Sequence, residues 1–209
     1  MVRRVCIYVM GTLILALGLV LNSKTGLGVS AILSLPFSLS TFTSLSFGTW
    51  TSILYVCFVV TELVILRKAD WMVMLQFPFS IVFGRIIDFY NTFLKIKGPS
   101  LVLSLVLLAL AVFLTALGVV IMVSMKLIVN PADGCVSTIA AVVKKPMGTV
   151  KMMMDISMLC ITLIICLLFV HRIVGIGIGT LVSAALIGPL INLLTSKLKQ
   201  PLCRAAGIE

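Results

Sequence analysis

Six apolar runs, each long enough to cross a bilayer as a helix, follow one another along the chain at residues 5–21, 50–66, 71–94, 101–123, 149–170 and 175–194. A spanning helix needs about 20 mostly apolar residues. Hydrocarbon offers no water to bond loose backbone, so each run is expected to be helical. With 61% hydrophobic and 11% charged residues among 209, the chain carries more apolar side chain than a soluble domain of that size can hide. The first run follows Arg3 and Arg4 and has the look of a secretory signal, but no A-x-A-like site comes after it. It is read as the first span.

Lys and Arg favour the cytoplasmic flanks of spans. With the N-terminus inside, the cytoplasmic side collects Arg3, Arg4, Arg67, Lys68, Lys126, Lys144, Lys145, Lys151, Lys197, Lys199 and Arg204. The outer side holds Lys24, Lys95, Lys97 and Arg172, with Arg85 left inside a span. Both termini are therefore expected in the cytoplasm, and Trp50 and Trp71 fall at span ends, where indole rings favour the interface. Because the basic residues lie scattered between apolar runs, the formal charge of +10 reads as a topology signal, not as a nucleic-acid surface. The partner this composition demands is the lipid bilayer. The cysteines, several of them inside apolar runs, show no CxxC pairing, so neither a disulfide nor a metal site is expected.

Two connections, 22–48 and 124–148, break the short-loop pattern and mix apolar residues with Gly, Pro, Ser and Thr. Short helices that lie at the interface or dip into the protein are expected there. The halves also resemble one another. Ala16-Leu17-Gly18 recurs as Ala116-Leu117-Gly118, Val29-Ser30 as Val136-Ser137, and Gly48-Thr49 as Gly148-Thr149. Arg67 then corresponds to Arg172, Gly84 to Gly188 and Asp88 to Asn192. The expected fold is thus an all-α membrane protein with two three-span repeats, 1–98 and 99–209, each with an irregular or short-helix segment after its first span. Three spans is an odd number, so the second repeat must lie inverted, as in many secondary transporters.

Several of these stretches resemble a known family. Gly26-Leu27-Gly28-Val29-Ser30 with Gly84 through Asp88, Pro131-Ala132-Asp133-Gly134, and Gly177-Ile178-Gly179-Thr180 followed by Ile187-Gly188-Pro189 are similar to the YczE-like bacterial integral membrane proteins and, more distantly, to the YitT-like ones. The resemblance covers most of the chain. It implies a multi-span fold in a bacterial plasma membrane and no particular reaction or substrate class.

Ionisable groups inside spans are costly, which makes each a candidate functional residue. Arg85 and Asp88 share a face of the third span, where they can pair with each other or meet a substrate. Lys151 and Asp155 share a face of the fifth, with Lys151 placed to snorkel and leave Asp155 as the deeper charge. Asp133 can cap a short helix after the Asn130-Pro131 turn or, if buried, bind a cation or protonated substrate. Glu62 reads as a solvated helix-end residue. Ser30, Ser137 and Asn192 complete the candidate substrate-binding set, through the irregular segments and the repeat.

No Ser/His/Asp constellation, P-loop or CxxC pair is present, and the single histidine, His171, falls at a span end, so no enzyme and no cofactor are expected. Gly175, Gly177 and Gly179 lack the strand that a dinucleotide fingerprint requires. Two functions fit. One is a small-solute transporter or permease with its site between the repeats. The other is a non-transporting membrane protein with a regulatory or partner-binding role. A single copy and a homodimer fit equally.

Overall fold

The computed structural model describes residues 2–68, 70–96, 98–145 and 147–207, with no strand among the described residues. Lys97, one of the outer cations in the topology argument, lies outside them. In chain order the elements are α1 (Val2–Lys24), a 3-10 turn (Ala31–Leu33) entering α2 (Ser34–Phe42), α3 (Phe47–Leu66), α4 (Trp71–Met74) and α5 (Gln76–Phe93). The second half follows with α6 (Leu101–Ser124), α7 (Pro131–Val143), α8 (Met147–Ile165) closed by a π-helical turn, and α9 (Ile178–Ala206). Six of the helical stretches, with α4 and α5 taken together, are long and apolar enough to cross a membrane. The chain is a multi-pass membrane protein.

Local chemistry sets the boundaries. Ser46 caps α3 by accepting from the Thr49 N–H at 3.1 Å. Pro131 opens α7, where its missing N–H costs nothing. The expected span 71–94 is interrupted instead of continuous: Pro78 has no N–H to give the Met74 carbonyl, and the helix resets at Leu75 between α4 and α5. The last helix extends well past the apolar run 175–194. It runs through Pro189 and Pro201 for 29 residues, until Gly207 ends it in a left-handed turn at φ 69°.

The two halves meet along α1 and α6. A Cβ on Gly18 would fall 2.6 Å from the Thr115 nitrogen, one on Gly118 would fall 2.6 Å from the Leu15 nitrogen, and Gly11 faces Ile121. Close backbone approach over small residues is how helices associate without a hydrophobic drive from water. Ascending numbers on α1 meet descending ones on α6, so the pair is antiparallel. The contacts are also reciprocal, 18 with 115 and 118 with 15, as a two-fold axis through the crossing requires.

The ends of the bundle are fixed by polar ties. At one end the Arg4 Nε donates to the Met125 carbonyl at 2.6 Å, and Cys203 Sγ reaches the Ser124 carbonyl at 3.8 Å. At the other the Lys24 Nζ donates to the Asn91 carbonyl at 3.1 Å. The first and last helices thus put their outer ends on the same side, called here the Arg4 end, opposite the Lys24 end.

Within the first half, Gly48 and Gly84 lie backbone to backbone, and Tyr55 stacks on Phe83 at 5.6 Å. In the second half, α9 lies against α6 and barely touches α8, and Gly188 faces open space.

Candidate functional site

Polar side chains are buried along two seams between the halves, one near each end. At the Lys24 end, the 25–29 loop of the first half is knitted to the 171–178 connection of the second. The Val29 N–H donates to the Gly175 carbonyl at 2.9 Å, and the Gly179 N–H donates to the Leu27 carbonyl at 2.7 Å. Deeper in, Asn22 Nδ2 donates to Ser183 Oγ at 2.8 Å, and the hydroxyls of Ser34 and Thr162 pair at 2.8 Å. Among the described residues, every polar group buried here is neutral. A cleft of about 620 Å³ opens beside this seam, lined by residues of both halves including Val29, Phe37, Arg172 and Gly175.

At the Arg4 end the seam carries charge. Glu62, on α3, is 5% exposed; its Oε1 accepts from Thr138 Oγ1 of α7 at 3.1 Å, and its Oε2 accepts from Gln76 Nε2 at the start of α5 at 3.2 Å. The helices can come this close because α7 has Gly134 facing the carboxylate. An apolar groove of about 450 Å³ lies alongside, between Phe58 and Thr61 of α3, Cys135 and Ile139 of α7, and Met154 and Ser157 of α8. Burial, with the Glu62 charge behind it, pushes the Cys135 thiol up to about 11.

The two seams are images of each other. Adding one hundred to Glu62 gives Thr162, and removing it from Gly134 gives Ser34. Glu62 against Gly134 is therefore the same contact as Thr162 against Ser34 with the halves exchanged.

A second group sits at the buried start of α7. Asn130 Nδ2 donates to Asp133 Oδ2 at 3.4 Å, and Tyr55, near the middle of α3, lies against the Asn130 side chain. Burial raises the Asp133 carboxyl above the usual carboxylate range; the Lys151 charge and the Asn130 hydrogen bond oppose the rise, and Asp155 adds to it. Asp155 itself, on α8, is held by Lys151 at 3.0 Å.

One family's sequence pattern matches residues 2–196. The chain belongs to DUF6198, described as a family of unknown function. Among curated proteins and solved structures, nothing matches.

The seams of this DUF6198 chain gather only part of the residue set expected from sequence. Asp133 and Asp155 come together beside Lys151. Ser30 is buried at the start of the 3-10 turn, with no side-chain capping bond. Asp88 lies away from both seams and is committed to structure: its Oδ1 accepts from the Gly48 N–H at 2.8 Å and its Oδ2 from Ser46 Oγ at 2.6 Å, so it caps α3. Arg85 lines neither of the two clefts. Its side chain is 74% exposed, 4.0 Å from Asp88. Ser137 and Asn192 are exposed as well.

The register of the short helices pairs Ser30 with a residue other than Ser137. The short helices begin at Ala31 and Pro131, so the partner of Ser30 is Asn130, and Val29-Ser30 matches Val129-Asn130. Glu62, read from sequence as solvated, is buried because α7 dips between α3 and α8. Glu62, Gln76, Thr138 and Asn130 were missed as site residues. A single offset of one hundred, kept through the short helices, would have found Asn130.

Proposed function

We propose that this chain is a small-solute transporter or permease of the bacterial plasma membrane, with both termini cytoplasmic and a path between two inverted three-span units, 1–98 and 99–209. One observation carries the reading: both clefts lie on seams between the two halves, at opposite ends of the bundle, and buried polar groups of both halves meet along those seams. Irregular backbone and polar side chains at membrane depth are tolerated mainly where they are buried in protein or line a cavity. Inverted units that rock about such a site are a common way to build alternating access.

In this reading Asp133, Asn130 and Asp155 meet the solute near the middle of the bundle. The neutral Lys24-end seam and the apolar groove form the two approaches. The resemblance to YczE-like proteins agrees with the location and implies no substrate class. The observed ties also accord with the positive-inside orientation, since Arg4, Lys126 and Arg204 gather at the Arg4 end.

The test is a metabolite screen for ligand-induced stabilisation of the purified chain, followed by vesicle uptake of each hit. Asp133→Asn and Asp155→Asn are expected to lower uptake at least about tenfold, or ~1.4 kcal/mol, while Arg85→Ala leaves it unchanged. Uptake untouched in both Asp variants would remove the site from the mechanism. A screen without hits on protein shown to be folded would favour the partner-binding alternative.

A further inference from the structure

Asp133 and Asp155 are both buried, at 9% and 7% exposed, and they have one ammonium between them. Lys151 Nζ donates to Asp155 Oδ1 at 3.0 Å. Among the described residues, ion pairs within 4.0 Å join Lys151 to Asp155 and Arg85 to Asp88, so Asp133 feels the Lys151 charge without a cation against it. The side-chain hydrogen bond it accepts, from Asn130 Nδ2, is long at 3.4 Å. Two carboxylates against one ammonium leave a surplus negative charge, and a buried charge without a counter-charge is strongly unfavourable.

The neighbours leave a proton as the ligand that fits. α7 itself supplies Asn130, α8 supplies Lys151 and Asp155, and α3 supplies Tyr55, whose charge state Asp133 influences. Lys151 is the cation of this group, and it is committed to Asp155. A proton needs no cavity, since it takes up a lone pair on a carboxylate oxygen. It also turns an acceptor into a donor, and a buried acceptor is waiting: Asn130 Oδ1 has no hydrogen-bond partner. With its amide turned over, Asn130 would present that oxygen to the acid O–H and its N–H to the Tyr55 hydroxyl, which can donate or accept.

We propose that Asp133 is a proton-binding site, loaded near neutral pH because the group of Asp133, Lys151 and Asp155 holds two carboxylates to one ammonium. Burial raises the Asp133 carboxyl; the Lys151 charge and the Asn130 hydrogen bond oppose the rise, and Asp155 adds to it. The loaded group is neutral overall. The unloaded one carries a charge that only water or a cationic solute can offset, so proton and solute compete for one buried place. That competition, and with it a role as the coupling ion, rests on the transport reading; the binding of the proton does not.

The experiment is infrared spectroscopy of the purified full chain near neutral pH, in water and in deuterium oxide. The parent is expected to show the C=O band of a protonated carboxyl, shifted in deuterium oxide and lost in the isosteric Asp133→Asn. Asp155→Asn leaves Lys151 to Asp133 alone and is expected to weaken the band, whereas Asp70→Asn, at the exposed cap of α4, keeps it. Thermal unfolding gives a second readout. The folded carboxyl holds its proton to higher pH than the unfolded one, so the parent should lose unfolding temperature relative to Asp133→Asn as pH rises from the ordinary carboxylate range. A band that Asp133→Asn leaves intact, or a temperature difference constant with pH, would overturn the proposal. A band at full strength in Asp155→Asn would overturn the shared ammonium as its cause. The band without uptake of any solute would leave the proton site standing and sink the transport reading; solute uptake by a parent without the band would do the reverse.

Discussion

The seams at the two ends of the bundle use the same contact with different chemistry. Where the second half offers Thr162 to Ser34, hydroxyl to hydroxyl, the first half offers Glu62 to Gly134. Around the hydroxyl pair the loops are laced by backbone hydrogen bonds and, among the described residues, nothing charged is buried. Around Glu62 the bonds are few and made by side chains; the Gln76 side-chain oxygen is left without a partner, as the Asn22 one is at the other seam. A two-fold arrangement of helices thus carries a one-sided distribution of charge. The symmetric part holds the bundle together, and the departures from symmetry are where function is to be sought.

The largest expected effect comes from erasing that difference. Thr162→Glu would place a second carboxylate where only the Ser34 hydroxyl waits, and an unpaired buried charge costs about 3–5 kcal/mol. Yield and monodispersity in detergent should collapse. A variant as stable as the parent would show that the Lys24-end seam is wetter than its packing implies.

Next is a glycine pair that separates the two halves. Gly84→Ala drives a methyl into the Gly48 backbone and is expected to cost about 1–3 kcal/mol. At Gly188 a Cβ meets nothing within 4 Å, so Gly188→Ala should be neutral or add about 0.5–1 kcal/mol through helix propensity. Equal thermal shifts would contradict the looser packing of the second half. A smaller effect, about 0.5–2 kcal/mol, is expected for Asp88→Ala, which uncaps α3 without opening either seam. It should lower the unfolding temperature and leave solute binding unchanged; loss of binding would move Asp88 back into the site.

The fold was legible in sequence because lipid makes a coarse demand that hydropathy records: six runs, one short helical segment after the first span of each half, and small residues at 18 and 118. Positions within the helices were less legible. Pro78, the eighth residue of the apolar run 71–94 and the third of α5, resets the helix at Leu75, whereas the polar tail of α9 stays helical through Pro201 as far as Gly207. The ion pairs Lys151–Asp155 and Arg85–Asp88 were legible, since each spacing is local, but which of them lies buried between the halves was not. Glu62 was not, because its burial depends on α7 folding back between α3 and α8, a long-range contact that leaves no trace in the residues around position 62. Asn192 and Ser137 entered the set by correspondence between the halves, and correspondence of sequence does not carry burial with it.

The claim underneath the rest is that the two seams open toward opposite faces of the membrane. Thiol labelling from each side in sealed vesicles tests it directly, with a single cysteine at Phe37 in the larger cleft or at Ser157 in the groove, in a background freed of the native cysteines. The account expects the Phe37 cysteine to react with an impermeant reagent only from outside and the Ser157 cysteine only from the cytoplasmic side. Reaction of both from the same side would contradict it.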